Sequence, residues 1–338
     1  MSRLRPLLRD AAYRSGALSF ARRRQRRALT VVMFHRVLDP ADPDFARPDP
    51  DFALSSALFD QLLGFFRDHY AAVSLRDVMN ARDGVGALPD HALLITFDDG
   101  WADNLRNAAP LLRARGMPAV LFAVPEAIRS PCDTWWQEQV FAAARDGALD
   151  SWLDQDQRRE AIMRGAAVGE LPYPLDIVTR LVLMEPTRRA EILATLPASP
   201  RGVRMMLRPD EMPLLAGFWI DIGLHGYSHA PLTALVDVEG ELHQAKQAVA
   251  ALSAGTATTS ALGCPHGRYN AIVIAAAHAA GMKLMFTSDP HLNLTCEGML
   301  VPDRPLGRIN VVARQIEAAP HRLAPAAAAR WLWARDCR

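Results

Sequence analysis

Apolar residues along this chain gather in continuous runs, and helical patterns fill the intervals between them. Leu29–Phe34, Leu93–Phe97, Ala119–Val124, Trp219–Leu224, Thr258–Leu262, Lys283–Thr287 and Gly307–Val312 read as strands. Several show no alternation, which is the pattern of strands buried on both faces. Between them, Leu58, Leu62, Phe65 and Phe66 share one helical face, as do Leu105, Ala108, Leu111 and Leu112. Repeated βα units predict an α/β fold with a parallel sheet, and seven or eight strands favour a barrel over an open sheet.

The rhythm breaks between about residues 132 and 212, which are rich in Arg, Asp, Leu and Ala and poor in β-branched runs. That stretch reads as a helical insertion within one barrel domain spanning 29–338. Its clearest helix runs from Thr179 to Leu196, with Leu181, Leu183, Met184 and Ile192, and Pro186 divides it. Leu323–Trp333 reads as a closing helix.

Residues 1–28 form a different kind of segment. Nine arginines lie within the first thirty residues against one acid, Asp10. Leu4, Leu7, Leu8, Ala11 and Ala12 fall near helical spacing, so a basic helix is expected. It either packs on the domain with its arginines solvated or makes peripheral contact with anionic lipid. The following apolar run ends at His35 and Arg36, too short for a secretion signal or a membrane span. A cytoplasmic location, at the inner face of the membrane if that helix binds lipid, is the resulting expectation.

Composition narrows the class without naming a function. Half of the 338 residues are hydrophobic and 22% are charged, ample for a sizeable core. The net charge of +1 gives no nucleic-acid signature. Cys132, Cys264, Cys296 and Cys337 form no CxxC pair and suit a reducing compartment or apolar packing.

The chemistry begins at LLITFDDGWADN, residues 93–104. Two neighbouring carboxylates end an apolar strand, where a barrel places its site, and Gly100 permits a sharp departure. One carboxylate can hold a cation while the other stays available as a base, the cation relieving their repulsion. Asp-Asp-Gly also makes turns and helix caps, and Asp103 and Asn104 are expected to cap the next helix. A second strand ends in IDIGLHGYSHAPL, residues 220–232, where His225 and His229 stand at i and i+4. Asp99, His225 and His229 together offer one oxygen and two nitrogens with positions left for water and substrate. That set suits a divalent metal, Zn²⁺ best, with Co²⁺, Ni²⁺ or Fe²⁺ also fitting.

These two motifs resemble those of the polysaccharide deacetylases, carbohydrate esterase family 4, also called the NodB-homology domain. VVMFHRVL is similar to that family's first strand and GMPAVLFAV to the strand after its Asp-Asp motif. The pair Trp135 and Trp136, followed by a helical insertion, resembles members found with capsule and exopolysaccharide synthesis. The resemblance covers roughly residues 29–312. It implies a distorted (β/α) barrel and removal of N-acetyl groups from an amino-sugar-containing polysaccharide, oligosaccharide or lipid-linked saccharide.

Carried over by position, the resemblance makes Asp98 the general base and Asp99, His225 and His229 the metal ligands. The third loop, GCPHGRYN, keeps Pro265, Gly267 and Tyr269, and a backbone N–H from it is the expected oxyanion donor beside the metal. The arginine that often orients the base is absent, Gly263 standing in its place. Arg308 in PLGRINV is the natural substitute, as a bidentate partner of Asp98. The histidine usual after the last strand is absent too. His35 is the favoured general acid, with His266 next and His291 the remaining candidate, and a metal-bound histidine acting through water is the alternative. Trp101 is expected at the sugar-binding rim or in packing, and Trp135 and Trp136 either stack on sugar or fill the core. His69, His91, His243, His278 and His321 carry no expected function. Two alternatives stand beside the deacetylase: a non-catalytic carbohydrate-binding homologue, and a metal amidohydrolase acting on a small non-sugar amide.

Overall fold

A computed structural model describes residues 13, 15–16, 20, 22–23, 25–42, 45, 49–164, 171–196 and 204–338. Leu4, Leu7, Leu8, Ala11 and Ala12 of the expected basic helix lie outside these.

Seven parallel strands form the frame: β1 (Ala28–Phe34), β2 (Ala92–Asp99), β3 (Ala119–Ala123), β4 (Ile220–Leu224), β5 (Ala261–Gly263), β6 (Leu284–Phe286) and β7 (Ile309–Asn310). Their order is β7-β1-β2-β3-β4-β5-β6, so only β7 departs from sequential neighbours. The sheet curls until its ends approach, and Phe286 forms a parallel bridge with Leu306, just before β7. The result is a distorted (β/α) barrel. An antiparallel strand, Asn293–Cys296, covers the lower edge of β1.

Alternation along β2 shows how the barrel divides its side chains. Leu93, Ile95 and Phe97 face outward into a core shared with the helices, against Leu58, Leu62, Phe66 and Leu112. Leu94 points inward with Val31, Val120, Phe122 and Phe286. Thr96 and Asp98 continue that inward row toward the open end of the barrel. Both faces of the strand are buried, which is why its sequence reads as an unbroken apolar run.

The late strands are shorter than the apolar runs suggested. Thr258–Ser260 precede β5 as a turn, tied by the Thr258 amide to the Ile222 carbonyl. Gly307 and Arg308 precede β7, because the Asn293 side chain takes the place of a ladder partner. Its Oδ1 accepts from the Gly307 amide at 2.8 Å and its Nδ2 donates to the Gly307 carbonyl at 3.0 Å. Trp219, expected in a strand, has φ +58° and closes the preceding 3₁₀ turn instead. The last helix begins at Pro325, a first-turn position suited to proline, and Arg322–Leu323 forms a short strand.

Between β3 and β4 lie the helices Trp136–Arg145, Leu149–Leu153, Arg158–Met163, Leu175–Val182 and Pro186–Leu193. Pro186 opens the last of these. They enclose an apolar cluster of their own, including Val140, Trp152, Leu153, Ile177 and Leu181. None of the described helices is long and apolar enough to cross a membrane, and the four cysteines are free.

Candidate metal and catalytic site

At the carboxyl ends of the strands opens a pocket of about 480 Å³. Asp98 and Asp99 reach it from β2 by different routes. Asp98 continues the inward alternation, whereas Asp99 would point outward if the strand stayed extended. Asp99 takes φ +77° and Gly100 φ +97°, which turns the second carboxylate toward the same opening. A non-glycine residue held there is strained, and such strain persists only where the surroundings enforce it. Trp101 is part of that enforcement: its indole N–H donates to Asp99 Oδ2 at 2.9 Å.

His225 follows β4 directly, and His229 sits one loop later with φ +61°. His225 Nδ1 meets the Gly263 carbonyl at 2.7 Å. A carbonyl only accepts, so Nδ1 carries the proton and the Nε2 lone pair faces the site. His229 Nδ1 meets the side-chain Oε1 of Gln137 at 3.0 Å, with the same consequence for its Nε2. Those two nitrogens stand 3.6 and 3.3 Å from Asp99 Oδ1.

Three lone-pair-bearing atoms thus face one another, all within 4.8 Å. Asp99 Oδ1 is buried and accepts no hydrogen bond among the described residues. Two ligands about 2.0–2.1 Å from one tetrahedral ion lie about 3.4 Å apart, matching the histidine–aspartate separations here. The residues therefore fit a divalent cation. Burial, and then the Asp98 charge, raise the Asp99 carboxyl to about 8, a shift that a cation would reverse.

Asp98 behaves oppositely. Burial pushes it up, but the Arg308 guanidinium, aided by His225 and His35, brings it down to about 2. Arg308 donates from Nη1 to Oδ1 at 2.6 Å and from Nη2 to Oδ2 at 2.8 Å, and its Nε donates to the Thr287 carbonyl at 2.9 Å. The arginine is fully buried. A Cβ on Gly263 would fall 2.8 Å from the Phe122 ring and 3.2 Å from His225 Nδ1. Phe122 fills the space that a larger residue at 263 would need, and the guanidinium approaches over that ring from the β7 side instead.

The candidate acids separate by position. His35 lines the pocket, and its buried Nδ1 has no hydrogen-bond partner among the described residues. Burial lowers it to about 4. His266 lines the pocket as well, but its Nε2 donates to the His229 carbonyl at 3.1 Å, and burial brings it to about 3. His291 lies outside the pocket lining, beside Gly307.

The third loop meets its expected place only in part, with His266 lining the pocket and two later amides engaged in a turn. The amides of Gly267 and Arg268 close a turn onto the Cys264 and Pro265 carbonyls, so neither is free for an oxyanion. Gly267 reaches the pocket, but Pro265 and Tyr269 do not line it; the Tyr269 hydroxyl donates to Asp289 at 2.7 Å. Trp101 lines the pocket from a buried position, its ring under the Arg36 guanidinium and edge-on to Trp135. Trp135 lines the pocket against His229, and Trp136 packs beneath Arg189.

Asp103 and Asn104 do not cap a helix. Asp103 pairs with Arg36 Nε at 2.8 Å and accepts from the Val37 amide, while Asn104 donates to the His35 carbonyl. Their side chains turn back over the end of β1 because the chain from Asn104 to Ala108 starts as a π-helix, which widens the first turn. Sequence reasoning missed Gln137 and also Glu241, which accepts from the Tyr227 and Ser228 amides and so fixes the histidine loop. No periodicity marks either residue. The WW pair next to Gln137 was the one nearby signal.

Residues 86–170 match the family model described as polysaccharide deacetylase. The poly-beta-1,6-N-acetyl-D-glucosamine N-deacetylase of Escherichia coli is 33% identical over 79 residues, a match covering 23% of this chain and 12% of that protein. The Streptococcus pyogenes deacetylase PplD, solved with acetate, shares the fold at TM-score 0.56 and 16% identity, covering 90% of this chain and 98% of that one. IcaB from Ammonifex degensii does so at TM-score 0.55 and 17% identity, covering 90% and 97%. The Asp-Asp segment thus lies inside the region that matches the polysaccharide deacetylase model, and the barrel is shared with both of these deacetylase structures along nearly its whole length.

Proposed function

We propose that this chain is a metal-dependent hydrolase that removes N-acetyl groups from an amino-sugar-containing glycan, free or lipid-linked. The observation that carries this reading is the pairing of two unlike carboxylates in one pocket. Asp98 is held ionised by Arg308, and Asp99 faces two imidazole lone pairs. That division suits one base and one ligand set.

Asp99, His225 and His229 would hold the cation, with Zn²⁺ favoured by an oxygen and two nitrogens. A divalent ion bound there supplies Lewis acidity and a water of lowered pKa. Asp98 accepts a proton from the attacking water as its oxygen bonds to the acyl carbon. Arg308 keeps that carboxylate aimed and charged until the proton arrives. The C–N bond then breaks, and the amine nitrogen takes a proton for which His35 is the favoured donor. A protein of this class releases acetate and leaves a free amine on the sugar. The similarity to the Escherichia coli poly-beta-1,6-N-acetyl-D-glucosamine N-deacetylase supports this substrate class.

The test combines metal analysis of the purified protein with acetate release from N-acetylated oligosaccharides. The wild type is expected to bind one divalent ion per chain and release acetate, and Asp98→Asn to bind the ion and release none. Wild type that holds metal yet releases no acetate from any amino sugar would favour a non-catalytic carbohydrate-binding protein. Acetate released only from small non-sugar amides would favour the amidohydrolase.

A further inference from the structure

Gln137 lies in the helical insertion, at the start of the helix Trp136–Arg145, yet it is fully buried against the histidine loop. Its Nε2 donates to the Ser228 carbonyl at 2.9 Å. That carbonyl has no proton to give, so the orientation of the amide is fixed and Oε1 is left as an acceptor. Oε1 receives the His229 Nδ1 proton at 3.0 Å. One side chain therefore sets both the backbone position of the loop and the tautomer of an imidazole. The neighbouring Trp135 ring lies 5.1 Å from the His229 ring and limits its rotation. His229 is also held at φ +61°, a conformation that needs outside support in a residue with a side chain.

We propose that Gln137 is a positioning residue for the candidate metal site, so that the insertion and the barrel build that site jointly. The proposal rests on the metal reading given above. Its physical basis is general. A histidine ligand presents a lone pair to a cation only when its other nitrogen keeps the proton, and the partner of that nitrogen fixes both the tautomer and the ring angle. His225 obtains such a partner from β5, through the Gly263 carbonyl. His229 obtains its partner from the insertion, roughly ninety residues earlier in the chain. Losing a partner of this kind weakens metal affinity about 10–100-fold.

The experiment measures Zn²⁺ affinity by competition with a chromophoric chelator, alongside thermal melts and the imidazole ¹⁵N spectrum. Gln137→Met conserves volume but offers neither hydrogen bond. It is expected to bind Zn²⁺ at least tenfold more weakly and to show His229 distributed between both neutral tautomers. Gln137→Glu keeps an acceptor for Nδ1 and is expected to recover most of the affinity. Val140→Ala, which thins the core of the same helix, is expected to melt earlier with affinity unchanged. A folded Gln137→Met protein with wild-type affinity and a single His229 tautomer would overturn the proposal. Wild type that binds no divalent ion would instead overturn the metal reading itself.

Discussion

Arg308 grips Asp98 through two parallel hydrogen bonds, although 210 residues separate them in the chain. Both partners are buried, so each depends on the other for charge balance. Arg308→Met is therefore expected to leave a buried carboxylate unpaired, at a cost of about 3–5 kcal/mol in unfolding free energy. The sign of the pH effect follows. Arg308 lowers Asp98 toward 2 against the upward push of burial, so its loss raises that pKa, and the acidic limb of the rate profile moves to higher pH. Denaturant melts and a pH–rate profile check the two effects separately. An unmoved acidic limb would remove Asp98 from the role of base.

Removal of the cation gives a second expectation. An empty site leaves Asp99 Oδ1 facing two lone pairs, so a divalent ion at 100 times its dissociation constant should stabilise the fold by about 2.7 kcal/mol. Calorimetry with and without chelator measures this. Asp99→Ala is expected to abolish the metal-dependent rise in melting temperature.

The proton donor can be isolated by changing the leaving group. Amide cleavage needs a protonated amine, whereas a nitrophenyl ester leaves as a stable anion. His35→Ala should lower amide turnover about 10²-fold or more and spare nitrophenyl acetate hydrolysis. Equal losses on both substrates would make His35 a residue that positions substrate. Its low resting pKa, near 4, further implies that substrate binding must favour its protonated form if it serves as the acid.

Trp101→Phe tests how Asp99 is aimed. The substitution retains an aromatic surface for Arg36 and Trp135 but deletes the N–H that donates to Asp99 Oδ2. A net loss of about 1.5–3 kcal/mol is expected, as for a hydrogen bond to a charged group. It should appear mainly as weaker metal binding, read by the same chelator competition.

The extent to which the site was legible in sequence follows from where its residues get their neighbours. Asp98, Asp99, His225 and His229 belong to short local patterns at the ends of apolar runs, so their chemistry could be read directly. The first three strands were legible for the same reason, being buried on both faces and hence mostly apolar, and β4 was legible despite Asp221, which interrupts its run. The later ones were located but their bounds were not, because β5 to β7 are two or three residues long and a side chain, Asn293, supplies part of the pairing. Arg308 was found only by asking what should neutralise a base, with Gly263 standing where an arginine was expected. Gln137 and Glu241 had no such prompt. Their partners are backbone atoms and a ring nitrogen in a distant loop, and a single glutamine or glutamate carries no spacing. Asp103 and Asn104 were misread because a capping pattern and an inter-strand tether use the same residue types.

The position of β7 ties competence to completeness. This strand returns to lie beside β1, and the residue before it supplies the guanidinium that neutralises Asp98. A nascent polypeptide thus acquires both carboxylates, both imidazoles and the insertion long before their excess negative charge is answered. Only the seam that closes the cylinder delivers the counter-ion, so a prematurely terminated product would carry the full ligand set and still lack an oriented base.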